Sequence, residues 1–355
     1  TFGTGDFTVE YWVKTPASPA GTDYGYYGGG RTVYADPRHS TIDRIDYSND
    51  TPTAVAKGPL TQTKEGVAAV GNTSYGYFAG GDYNSHPSYY STVDRLDYAS
   101  DTDTTVAKGP LPVQKKQAAG AGNNSYGYIG GGYKGAPGPN DTSSSVDRID
   151  YSNDTATAAV KGPLTHASQA VGATGNQSYG WFAGGNGPKS YCGRIDYSND
   201  TPTVSPKGYL SSARYNPGAT GNASYGYFGG GSEPGGPVST VDRVDYSNDT
   251  PTMTPKGPLT VARYGHGSTG NTSYGYNGGG HPTYSTVDRI DYSNDTATAA
   301  AKGPLSLGRR GIGATSSREY ALPTVDVVTA ANIINPDSET GSGYWAHQYD
   351  TTFDW

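Results

Sequence analysis

Cysteine occurs once in 355 residues, methionine occurs once, and no apolar run reaches 18 residues. One Cys excludes a disulfide scaffold and any Cys-rich metal centre. Short apolar runs exclude a membrane-spanning helix, so no membrane insertion is expected. Helix signals are missing too: there is no 3.6-residue apolar period, and Gly and Pro are scattered throughout. Cationic charge is scarce, with 25 Lys and Arg against 32 Asp and Glu. The net charge of −7 argues against nucleic acid as the partner, because phosphate binders carry a basic surface. No charged n-region with an apolar stretch opens the chain, so no signal peptide is expected.

What is present is Gly, 53 residues, and Tyr, 32 residues, within a chain only 33% apolar. Gly stands at about twice its ordinary share of roughly 7%. Composition alone reads as disorder. Three recurring motifs overturn that reading. Tyr-Gly-(Tyr/Trp)-x-(Gly/Ala) begins at Tyr24, Tyr75, Tyr126, Tyr179, Tyr225 and Tyr274, at intervals of 51, 51, 53, 46 and 49 residues. Arg-(Ile/Leu/Val)-Asp-Tyr begins at Arg44, Arg95, Arg148, Arg194, Arg243 and Arg289. Lys-Gly-(Pro/Tyr)-Leu begins at Lys57, Lys108, Lys161, Lys207, Lys256 and Lys302. A disordered tract has no reason to keep three motifs in register; a period near 50 residues marks a propeller or solenoid.

Each unit holds four short strand signals separated by turn residues. In the second unit these are Val67 to Val70, Ser74 to Ala79, Thr92 to Tyr98 and Thr104 to Lys108. The expected fold is therefore all-β: a β-propeller of six blades, each of four antiparallel strands. The last first-strand signal, Gly311 to Thr315, is expected to pair with Tyr24 to Gly30 and close the ring, since an open ring leaves exposed edges. Seven blades are the alternative, because Thr324-Val325-Asp326 echoes the third-strand motif. Residues 1–20 form an N-terminal docking segment in this reading, 21–320 the propeller, and 321–355 a C-terminal segment beside the N-terminus. The two ends hold Trp12, Trp345 and Trp355, three of the four Trp.

The units resemble kelch repeats. Gly80-Gly81 and Gly131-Gly132 match the family's doublet after the second strand, and Val93-Asp94-Arg95-Leu96-Asp97 is similar to its third strand. The family's fourth-strand Trp is replaced by small residues. The strings Ser285 to Thr296 and Lys302 to Ser306 also resemble tandem-repeat proteins of marine tailed phages, over roughly residues 22–322. That resemblance implies a virion or host-contact role, with localisation on the virion surface or outside the cell. Phe2 to Val13 resembles, over about 15 residues, the first strands of laminin-G-like modules.

A residue that recurs in every unit has a structural job. The pairs Arg44/Asp46, Arg95/Asp97, Arg148/Asp150, Arg194/Asp196, Arg243/Asp245 and Arg289/Asp291 share a strand face and are expected to form ion pairs within or between blades. The Tyr-Ser-Asn-Asp-Thr turns are ordinary tight-turn chemistry, with a Ca²⁺ loop as the other reading. The six His show no metal spacing, Cys192 stands where other units have Val, and no nucleophile elbow or sialidase box occurs. No catalytic residue, metal or cofactor is expected, and the protein is not expected to be an enzyme.

Localised function belongs where units differ. The loops after the second strand and before the first share one face of the ring and vary. The former carry Tyr34, His39, Tyr83, His86, Tyr89, Tyr90, Tyr133, Tyr191, His281 and Tyr284. The latter carry Arg214, Tyr215, Arg263, Tyr264, Arg309 and Arg310. Tyr and Arg are enriched at recognition hot spots, and Tyr faces stack on sugars. The expected function is a non-enzymatic virion recognition or structural protein (tail fibre, appendage or decoration), assembled with other virion proteins or contacting a host-surface glycan or protein. The alternatives are a carbohydrate-binding or glycan-cleaving propeller and a cellular kelch-type scaffold.

Overall fold

A computed structural model describes residues 23–32, 37–83, 89–135 and 141–317. Six four-stranded antiparallel sheets form the blades. Blade two runs Ala68–Gly71, Tyr75–Ala79, Val93–Asp97 and Val106–Lys108 from first strand to fourth. Blades three to six repeat this order, and blade five adds a small hairpin, Ser232–Glu233 with Gly236–Pro237. Blade one is completed by the far end of the chain. Its first strand is Gly313–Ser316, paired with Tyr24–Gly28 so that Gly25 faces Ser316 and Gly28 faces Gly313. Among the described residues the helices are three short 3-10 turns. The terminal segments, with their Trp residues and the seventh-blade echo at Val325, lie outside the described residues.

The first strands surround the axis and are built of Gly, Ala, Val, Ser and Thr because neighbouring blades crowd there. A Cβ on Gly120 would run into the Ala69 carbonyl of blade two. The doublet after the second strand has a conformational cause. Gly80 and Gly81 have φ of 68° and 102°, which L side chains avoid. Gly81 N–H donates to the Lys115 carbonyl of the next blade at 2.9 Å.

Tyr largely replaces aliphatic residues between blades. The Tyr or Trp at the centre of each second strand stacks on the Tyr that ends the Arg-x-Asp-Tyr motif of the next blade, with centroids 4.0–5.0 Å apart, from Tyr26/Tyr98 round to Tyr276/Tyr47. Such a pair contributes roughly 0.5–1.5 kcal/mol beyond its area. Its polar tip ends on a carboxylate. Tyr128 Oη donates to Asp200 at 3.0 Å, where Arg148 and Lys161 also converge at 2.8 and 3.1 Å. The same clamp joins every blade to the next through Asp50, Asp101, Asp154, Asp249 and Asp295. Arg289 and Lys302 of blade six reach Asp50 of blade one and close the circle. Each clamp Arg also lies over the first Tyr of its own second strand, 4.0–4.3 Å from the centroid.

This corrects the expected pairing in one respect. The arginines pair across blades, but Asp46, Asp97, Asp150, Asp196, Asp245 and Asp291 are not their partners. Each instead caps the turn that follows, as where Ser152 N–H donates to Asp150 Oδ1 at 2.9 Å. The turn carboxylate that a Ca²⁺ loop needs is held by an Arg and a Lys. No group of three or more His, Cys, Asp or Glu poised for a metal occurs among the described residues.

A second circle of ion pairs lies deeper. Asp43, Asp94, Asp147, Asp242 and Asp288 on the third strands meet Arg309, Lys64, Lys115, Arg214 and Arg263 at 2.7–3.0 Å, with both partners buried. Blade four has Gly193 and Ser168 at these two places. Cys192 is buried beside Gly193, and burial pushes its thiol well above the usual range.

Candidate functional site

The loops entering the first strands carry out one backbone manoeuvre six times. Gly66, Gln117, Ala170, Asn216, Gly265 and Gly311 all adopt φ between 54° and 68°. Each donates its N–H to the carbonyl of its counterpart in the preceding blade, at 2.7–3.1 Å. Six hydrogen bonds thus make a closed ring about the axis. Three of its members hold this conformation without being Gly, a strain that clusters at functional sites.

The ring frames a channel of about 320 Å³. Its wall below the ring is small: Ala69, Gly120, Ala173, Ala219, Ser268 and Ala314. Its mouth is lined by residues that precede the ring positions, Glu65, Lys116, Tyr215, Tyr264 and Arg310, with Gln169 at the equivalent place on blade four. Each is tied by its backbone to the residue after the Gly doublet of its own blade, as in Glu65 with Asp82 and Tyr264 with His281.

The mouth has two unlike sides. On blades one to three, Arg31 meets Glu65 at 2.7 Å, while Arg38 and Lys116 hold Asp82 at 3.0 and 2.6 Å. Burial and then the Asp82 charge raise the Glu65 carboxyl above its ordinary value. On blades five and six, Tyr215 and Tyr264 lie 5.5 Å apart, and Tyr264 stacks on His281 at 4.5 Å. Burial, then Arg310 and Arg31, lower the His281 pKa, so the imidazole is neutral.

Of the residues expected to bind, Tyr215, Tyr264 and His281 meet at this mouth. Tyr89 and Tyr133 sit edge to face at 5.8 Å on the charged side, with the Lys116 ammonium 5.0 Å from the Tyr89 ring. Tyr89 is buried, and Tyr133 donates to Asp141 at 2.6 Å. Tyr83 is exposed and packs on Tyr90 at 4.8 Å. Tyr284 lies under the Arg263 guanidinium, and His39 is partly buried with its N–H on the Gly30 carbonyl. Tyr191 stands on blade four's rim, stacked on His166. Arg214, Arg263 and Arg309 are a correction: all are fully buried against aspartates and present nothing to a partner. Tyr34 and His86 lie outside the described residues.

Glu65, Asp82, Lys116, Arg31 and Arg38 went unnoticed in the sequence. Their signal was present, because they are among the charges that differ between otherwise equal units.

No protein-family model matches the chain, and no curated protein matches it. The resemblances to kelch repeats and phage proteins rest on the motifs alone. Among solved structures the chain is similar to one titled "Structure of YjhT". The TM-score is 0.59 at 10% identity, covering 79% of this chain and 91% of that one. At that identity the likeness shows the fold.

Proposed function

We propose that this propeller is a non-enzymatic recognition module that binds its partner at the channel mouth on the variable face. One observation carries the reading. The clamps, stacks and turns repeat around the ring, whereas the equivalent positions Glu65, Lys116, Gln169, Tyr215, Tyr264 and Arg310 vary around the mouth, with Tyr shared only by blades five and six. Structure that repeats serves the ring; variation gathered at one opening serves a ligand. The motif resemblance to phage tandem-repeat proteins supports a place on a virion, as fibre, appendage or decoration, with a host-surface glycan or protein as partner.

The test uses purified protein on host-cell surfaces. Tyr215→Ala with Tyr264→Ala should lower retention at least about tenfold, the loss of roughly 1.4 kcal/mol of contact, with the melting curve little changed. Substituting exposed turn residues Asn153 and Asn248 on the opposite face should leave retention intact. The reverse result refutes the assignment of faces.

A second reading, glycan cleavage, is favoured by one feature: the Glu65 carboxyl at the mouth, raised by burial and the nearby Asp82 charge, as a general acid would be. Release of reducing ends, abolished by Glu65→Gln, would establish it in place of simple binding.

A further inference from the structure

Blade six breaks the repeat inside its core. The fourth residue of the second strand is Tyr27, Phe78, Ile129, Phe182 or Phe228 in the other blades, and Asn277 here, fully buried. Facing it on the first strand, Ala69, Gly120, Ala173, Ala219 and Ala314 become Ser268. Two residues earlier, Val67, Ala118, Val171, Pro217 and Ile312 become His266, only 6% exposed. Three apolar positions have turned polar together.

They satisfy one another only in part. Ser268 Oγ donates to Asn277 Oδ1 at 2.8 Å. Both ring nitrogens of His266 and Nδ2 of Asn277 are buried without a well-formed hydrogen bond, Asn277 lying near enough to His266 to favour its charged form only slightly. An orphaned buried group pays its full desolvation cost, and such groups in native proteins are few. His266 and Ser268 line the channel and converge on Gly218, where a Cβ would run into both. They stand two and four residues beyond Tyr264, at the aromatic side of the mouth.

The donor set selects a ligand chemistry. Burial, then the Arg263 guanidinium, push the His266 pKa down to about 3, so the imidazole is neutral. It offers one N–H and one lone pair, and Ser268 beside it on the lining is backed from the core by the fully buried Asn277. A carboxylate or phosphate only accepts, and an ammonium only donates. A hydroxyl does both. The channel, about 320 Å³, lies at the small end of ligand sites, roughly 300–1,000 Å³.

We propose that the channel wall at blade six is a subsite for an uncharged, hydroxyl-rich ligand, a sugar, held by His266 and Ser268, with Asn277 fixing Ser268 from behind and the sugar ring against Tyr264 and Tyr215. The proposal rests on the channel mouth being the recognition site.

The experiment restores the residues of the other blades, His266→Val, Ser268→Ala and Asn277→Phe. Wild-type and variant proteins are titrated with the methyl glycosides of glucose, galactose, mannose and N-acetylglucosamine, and their melting temperatures compared. At least one glycoside should bind wild type. The triple variant should lose that binding by about tenfold or more, the equivalent of a lost hydrogen-bonded group, while melting at the same or a higher temperature. His266→Val alone, a milder change, should weaken the same glycoside in the same direction. If wild type binds none of the four, or both variants bind as wild type does, the subsite falls. Host-surface retention that depends on Tyr215 and Tyr264 but not on the triple variant would leave the mouth reading standing and remove this one.

Discussion

Five blades bury an ion pair that blade four lacks. In blade five, Arg214 and Asp242 meet at 2.8 Å with neither exposed. In blade four, Ser168 and Gly193 take both places, and a cavity of about 30 Å³ remains beside them. The lesson lies in the joint absence. A buried pair replaced as a pair is close to neutral, whereas one partner left behind is an uncompensated charge. Blade four therefore shows that the ring tolerates either state, and the half-state is the one expected to be costly.

The largest predicted effect breaks that comparison. Asp242→Gly alone leaves Arg214 buried and unpaired and should cost about 3–5 kcal/mol in denaturant unfolding. Adding Arg214→Ser recreates blade four in blade five and should recover most of that loss. Additive losses would show that the pair has no coupling. Conversely, Ser168→Lys in blade four should destabilise by a similar amount, about 3 kcal/mol.

The outer clamps come next, because their cations keep some contact with water. Asp200→Ala deprives Arg148, Lys161 and Tyr128 at once and should cost about 2–3 kcal/mol, less than a fully buried pair. The same clamps set an acid limit. Burial alone would raise Asp50, Asp154, Asp200 and Asp295, but hydrogen bonds from Lys and Tyr, together with the Arg charge, outweigh it and hold all four below the usual carboxylate value. A depressed folded pKa gives stability that is present above the unfolded value, about 3.9, and is lost as pH falls through the folded one. Melting temperature should accordingly stay level down to about pH 5 and then drop. Asp200→Asn should soften that drop.

The smallest effect separates the two aspartates of each repeat. Asp150→Asn keeps a side-chain oxygen for the turn and should change stability by less than about 0.5 kcal/mol. Were Asp150 the partner of Arg148, it would cost as much as Asp200→Asn.

Some of the site was legible in the chain. Tyr215, Tyr264 and His281 stood out as aromatic and imidazole side chains in the loops that vary between units. Arg214 and Arg263 were misread for a physical reason. An Arg before a Tyr in a variable loop resembles a surface anchor, and its aspartate lies 28 or 25 residues away in another strand. The clamp was hidden likewise: Arg289 and Asp50 are 239 residues apart and meet only when the ring closes. The six-residue ring at the mouth left no motif, since Gly, Gln, Ala and Asn all serve in it.

The sequence by itself determined the period, the four strands of each unit and the strand expected to close the circle, while the pairing of Gly313–Ser316 with Tyr24–Gly28 decided six blades over seven. The period and the strands follow from alternation and turn residues, which act over a few neighbours along the chain. The tertiary structure alone decided which carboxylate each Arg meets, which Arg are buried, and that unlike residues from six loops share one channel mouth. Those outcomes depend on distances between blades, and local pattern carries no information about a partner brought close by ring closure.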